Sequence, residues 1–347
     1  MKSIAALLLL AVLCAANAAD DGGDGKSRAQ SAGKRLIGQP GPSASLTTID
    51  GKTIELAAFY GKKPVYLKFW ATWCVPCREQ MPGFEQIFQK YGSRIAVVAV
   101  NTGFSETEAD VRSYRSRHGL HMPIVIDNGS LAGKLNLRVT PQHVLIGVDG
   151  RIMHVGHLAD RELDEALEKA VSEKPAPLAI LPAEPPVKSR AFKVGEEVSG
   201  ITAETIAGPS VAFGPGGSGK PRALVFFSPW CETYLRESRP ATAQACARVR
   251  KEAERLARRG DVEWLGVSAP LWASSGELAE YGKSRKTAIP LVLDRTGALF
   301  AAFGIRQIPS IVLIDATGRV AQVLGPEDRN IARAVQSLAP RQRLAFR

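Results

Sequence analysis

Two cysteines three residues apart, Cys74 and Cys77, are the side chains of this 347-residue chain best placed for chemistry. Trp73 precedes them and Val75-Pro76 lies between. A Cys-x-x-Cys spacing closes a small redox-active disulfide or supplies half of a zinc site. Cys14, Cys231 and Cys246 stand alone in the sequence. Cys14 lies in a leader with a basic Lys2, an apolar run from Ile4 to Val12 and a small-residue cleavage site at Ala16-Asn17-Ala18. The run is too short to span a bilayer, so residues 1–18 are expected to be a Sec signal peptide. The rival reading, a lipoprotein signal with Cys14 lipidated, calls for a small residue where Leu13 stands. Export to an oxidising compartment, the periplasm, leaves thiols either paired or redox-active. A Cys74–Cys77 loop is too short to remove much chain entropy, so that pair reads as redox rather than structural.

Two composition breaks divide the chain. Residues 19–33 are rich in Gly, Asp and Ser and are expected to be flexible. Residues 174–190 hold Pro175, Pro177, Pro182, Pro185 and Pro186 and read as a semi-rigid linker. They separate domains at 34–173 and 191–340, with a tail at 341–347. The two halves repeat one another. An apolar strand runs into Trp73-Cys74 in the first and into Trp230-Cys231 in the second, each followed by a helix. Both then carry a second buried strand, a strand ending in Asp127 or Asp294, and an X-Pro step, Thr140-Pro141 or Ile308-Pro309, that opens a terminal hairpin. Alternating strands and helices closed by a hairpin define an α/β fold, here two tandem domains with a central mixed β-sheet flanked by helices.

The run Phe69-Trp70-Ala71-Thr72-Trp73-Cys74-Val75-Pro76-Cys77, with Met81-Pro82 on the helix and Thr140-Pro141 downstream, resembles the thioredoxin superfamily, and most of all its exported TlpA/ResA-like branch. The resemblance covers about residues 36–171. It implies thiol-disulfide exchange by a Cys74 nucleophile, a resolving Cys77, a cis-proline at Pro141 and a Thr140 backbone that pairs with substrate. Trp73 and Pro76 shape the surface around Cys74. A helix N-terminus stabilises the attacking thiolate, and Cys77, one turn on, breaks the mixed disulfide. Thioredoxins bury an aspartate where this chain has Lys68. A buried Lys68 would lower thiol pKa values or act as a base, while the blander reading sends it to solvent or to Glu79. The absence of a histidine between the cysteines favours a reductase. The substrates implied are disulfide-containing exported proteins, re-reduction falls to a membrane electron donor of the DsbD type, and no cofactor is called for.

The second half resembles the superfamily less closely. It keeps Cys231, puts Tyr234 in place of the second cysteine and retains Pro309. Three readings stand: a mixed disulfide at Cys231, a Cys231–Cys246 bridge, or a degenerate scaffold that binds a partner. Fifteen residues of unbroken helix would hold the two cysteines about 22 Å apart, so a bridge needs a break, for which Pro240 is placed. A peroxidase reading, from Ser228 three residues before Cys231, lacks the accompanying proline pattern.

Other features are weaker. His143 with Cys74 and Cys77 is a candidate soft-metal set, which would make the protein a copper carrier. His154 and His157, like His118 and His121, read as surface histidines. Gly214 to Lys220 superficially suggests a phosphate loop, but its spacing is wrong and it precedes a strand. The net charge of +11 includes a basic patch from Arg248 to Arg259, which reads as a solvated helix face. No nucleic-acid motif accompanies it, and no later apolar run is long enough for stable membrane insertion.

Overall fold

The computed structural model describes residues 21–174, 190–213 and 219–338. The expected signal peptide, nearly all of the proline-rich linker, the 341–347 tail and most of the glycine-rich 214–220 segment lie outside them.

The first half opens with helix α1 (Asp21–Gly33) and the hairpin β1 (Ser45–Thr47) and β2 (Thr53–Glu55). There follow β3 (Val65–Trp70), α2 (Val75–Tyr91), β4 (Ala96–Asn101), α3 (Glu108–His118), β5 (Ile124–Ile126), α4 (Ser130–Lys134), β6 (Gln142–Ile146), β7 (Ile152–Gly156) and α5 (Arg161–Ser172). The sheet order is β5-β4-β3-β6-β7, parallel across β5, β4 and β3 and antiparallel at β6 and β7. All six residues of β3 are buried, as expected for a central strand covered on both faces.

The α1 helix corrects the expected flexible segment. Its glycines hide it from propensity, but packing against β7 selects it. Ala29 and Ala32 are fully buried, and Lys26 pairs with Glu162 of α5 at 2.8 Å. A Cβ on Gly25 would lie 2.4 Å from the His157 ring, so only glycine permits this approach.

The second half repeats the plan with the hairpin β8 (Thr202–Glu204) and β9 (Ser210–Ala212), then β10 (Arg222–Phe227), α6 (Cys231–Ser238), α7 (Pro240–Ala257), β11 (Glu263–Ser268), α8 (Ser275–Arg285), β12 (Leu291–Leu293), α9 (Ala298–Ala302), β13 (Ser310–Ile314), β14 (Val320–Leu324) and α10 (Ile331–Gln336). Its sheet order, β12-β11-β10-β13-β14, matches the first. The halves differ at the helix after the motif. α2 runs unbroken, whereas its counterpart breaks at Arg239 (φ −144°, ψ 64°) and restarts at Pro240. This break lets α7 fold back on α6 and brings Cys246 to Cys231, with 6.3 Å between Cα atoms, in a disulfide. Of the three readings for Cys231, the structure shows the bridge.

The halves pack motif face to motif face, about an approximate twofold axis. The Trp73 and Trp230 rings meet at a 31° tilt with 5.3 Å between centroids. The Ser105 N–H donates to the Arg306 carbonyl at 2.9 Å, and the Trp272 N–H donates to the Arg138 carbonyl at 2.9 Å. Ser105 and Trp272 hold equivalent positions, and both have left-handed backbones (φ 56° and 54°). Each motif tryptophan also donates its indole N–H within its own domain, Trp73 to the Phe104 carbonyl and Trp230 to the Leu271 carbonyl.

Candidate active site

The dithiol sits where β3 ends and α2 begins. Cys74 is the N-cap of α2, and its Sγ accepts from the Cys77 N–H at 3.3 Å. The two cysteines form a disulfide, with Cα atoms 5.2 Å apart. Pro76 lies in the first turn, where a missing N–H costs nothing. Cys77, Met81, Phe84 and Glu85 form the buried stripe of α2. The Thr140–Pro141 peptide is cis, as is Ile308–Pro309. The Thr140 carbonyl oxygen lies 3.5 Å from Cys74 Sγ. The structure therefore brings Trp73, Cys74, Pro76, Cys77, Thr140 and Pro141 together.

Lys68 does not snorkel and does not meet Glu79, which is exposed. It is fully buried, because β3 is central and α2 covers its face. Lys68 Nζ donates to Gln80 Oε1 at 3.3 Å and lies 5.4 Å from the centre of the Phe84 ring. Across the sheet its register partner is His143. His143 Nε2 lies 2.9 Å from the same Gln80 oxygen, and Nδ1 lies 2.7 Å from the Tyr66 hydroxyl. A neutral imidazole with its proton on Nε2 satisfies both contacts: Nε2–H donates to Gln80, and Nδ1 accepts from Tyr66. Gln80 Nε2 in turn donates to the His157 carbonyl at 3.2 Å. Burial pushes the Lys68 amine down to about 7. Burial, and then the charge of Lys68, hold His143 well below the usual imidazole range.

His143 thus has both ring nitrogens engaged and is not arranged with Cys74 and Cys77 as a ligand set. Among the described residues no cluster of three His, Cys, Asp or Glu side chains is placed to hold a metal ion. His157, read as a surface residue, is buried, and its Nδ1 lies 2.7 Å from the Pro141 carbonyl.

A buried carboxylate, Glu106, supports the motif loop. Glu106 Oε2 accepts from the Thr72 N–H at 2.9 Å and from its hydroxyl, while Oε1 accepts from Asn101 Nδ2 at 2.8 Å. Burial raises the Glu106 pKa against the opposing pull of these bonds and of Arg239. Arg239, from the other half, donates to Thr72 Oγ1 at 2.8 Å. Gln80 was legible in principle, being one helical turn beyond Cys77. Glu106 was not, because it lies 29 residues beyond Cys77 in a polar stretch.

The profile of the AhpC/TSA family matches residues 37–155. Thioredoxin-like protein YneN of Bacillus subtilis (strain 168) is 37% identical over 134 residues, which is 38% of this chain and 78% of that protein. Thiol-disulfide oxidoreductase ResA of Bacillus anthracis is 32% identical over 140 residues, 39% of this chain and 79% of that protein. A solved thioredoxin-family thiol:disulfide interchange protein from Chlorobium tepidum TLS is 27% identical, with a TM-score of 0.34, covering 38% of this chain and 96% of its own. The chain belongs to the AhpC/TSA thioredoxin-like family and is a thiol-disulfide oxidoreductase. Among the described residues, no helix is long and apolar enough to cross a membrane.

Proposed function

We propose that this protein reduces disulfides of exported proteins in the periplasm, with Cys74 as nucleophile and Cys77 as resolving thiol. The observation that carries the reading is the placement of Cys74 Sγ at the N-terminus of α2, within 3.5 Å of the Thr140 carbonyl before a cis-proline. In the reduced protein the Cys74 thiolate attacks a substrate disulfide, forming a mixed disulfide and releasing one substrate thiolate. Cys77 then attacks Cys74 Sγ, expels the second substrate thiol and closes the disulfide seen here. Two electrons have passed to the substrate, and a membrane dithiol donor of the DsbD type restores the pair. The α2 N-terminus favours the attacking thiolate through its free N–H groups and dipole. Lys68, whose amine is part-neutral near neutral pH, donates to Gln80 Oε1 one turn beyond Cys77 and is read as a modulator of the dithiol. The test is insulin reduction with dithiothreitol. Wild type should precipitate insulin faster than the uncatalysed control, and Cys74→Ser should not. A wild type no faster than background overturns the proposal.

A further inference from the structure

The dithiol is covered by the protein's own second half. Cys74 and Trp73 are each 1% exposed, and Thr140 is fully buried. The Tyr234 hydroxyl accepts from the N–H of Val75, between the two cysteines, at 3.2 Å. The loop around Trp272 lies along the segment that leads to the cis-proline. Its backbone N–H binds the Arg138 carbonyl, and its indole N–H donates to Thr140 Oγ1 at 3.3 Å. The Trp272 and His157 rings meet edge to face with 5.7 Å between centroids, and the Trp272 ring lies under the Arg28 guanidinium at 5.7 Å. Arg28 is itself ion-paired to Glu277 of the second half. These groups surround Trp272 with contacts suited to an aromatic side chain: a hydroxyl for an indole N–H, an imidazole at right angles to the ring, and a cation over its face.

We propose that the loop bearing Trp272 is a built-in occupant of the substrate groove. A disulfide-bearing polypeptide enters by displacing it, as an extended segment that places an aromatic residue where Trp272 sits. The inference rests on the oxidoreductase reading for its substrate, but its central claim concerns access to Cys74 and can be measured without turnover. The left-handed backbone of Trp272 fits a removable occupant, since a bulky residue at φ 54° is held there only by its surroundings.

The experiment is the rate at which iodoacetamide alkylates Cys74 in the phosphine-reduced full chain, followed by peptide mapping, for wild type, Trp272→Ala, Trp272→Phe and Arg28→Ala. Loss of the indole bond and ring contacts should speed alkylation in Trp272→Ala by about tenfold or more. Trp272→Phe, which keeps a ring but no N–H, should fall between. Arg28→Ala keeps the Trp272 side chain but removes the cation over its ring and the pair with Glu277, which loosens the loop and should also accelerate the reaction, so the idea stays testable if Trp272→Ala does not fold. Equal rates in all four proteins overturn it. Unreactive peptides with serine in place of cysteine, and Trp or Ala beside it, test the pocket. Stronger protection of Cys74 in Trp272→Ala by the Trp peptide supports an aromatic requirement, and equal protection overturns that part. If alkylation accelerates while no variant reduces insulin, the proposed reductase function fails and the cover stands.

Discussion

Replacing Lys68 with methionine tests the buried network directly. The side chains are similar in length, and Gln80 Oε1 keeps His143 Nε2 as a partner. Lys68 is fully buried, with its amine at about 7 against 10.5 for a free lysine. A lysine depressed in the folded state destabilises the fold while it is charged there, and stability returns as pH rises from the folded toward the unfolded value. At about 1.36 kcal/mol per pH unit, the full penalty below pH 7 is on the order of 5 kcal/mol. The lysine's bond to Gln80 offsets about 1 kcal/mol of what methionine would gain. Urea unfolding of the oxidised proteins should therefore find Lys68→Met more stable near neutral pH. Its advantage should be flat below about pH 6 and shrink by about 2 kcal/mol between about pH 7 and pH 9. The difference between the two proteins cancels every other titrating group that both retain unchanged. A pH-independent difference would refute the assignment of a depressed, buried amine.

Two further outcomes concern buried groups outside that network. Glu106→Ala leaves the Thr72 N–H and Asn101 Nδ2 without their acceptor, so urea unfolding should show a loss of about 2–4 kcal/mol. Cys231→Ala/Cys246→Ala removes a cross-link spanning fifteen residues. It should cost about 3 kcal/mol in the same assay, while Cys74-dependent insulin reduction continues.

The parts of this protein that were legible in sequence are those written into contiguous runs. A buried apolar strand feeding Trp73-Cys74 and a helix, and its echo at Trp230-Cys231, gave both folds and the place of the dithiol. The two cis-prolines followed from resemblance at Thr140-Pro141 and Ile308-Pro309. The Pro240 break was visible because proline cannot continue α6, although only the fold shows that the break returns Cys246 to Cys231. What stayed hidden depends on register and packing. Lys68 faces His143 because β3 and β6 pair antiparallel in one register, and neither local pattern records the other strand. The α1 helix is hidden by Gly22, Gly23 and Gly25, residues that argue against a helix until the His157 ring explains one of them. The contacts of Tyr234 and Trp272 on the dithiol arise from one domain meeting another, which no local period encodes.

Because the two halves belong to one chain, closing the motif faces is a unimolecular event. Its equilibrium is governed by an effective concentration, on the order of millimolar for covalently joined modules, and not by how much protein is present. Dilution leaves the covered fraction unchanged. An incoming polypeptide, by contrast, competes only at its own concentration. A substrate present at micromolar levels must therefore bind the groove about a thousandfold more tightly than the loose Trp272 loop would as a free peptide in order to hold it open half the time. With the Trp272 loop as the proposed occupant of the groove, the duplicated domain would set a threshold on which encounters reach the sulfur.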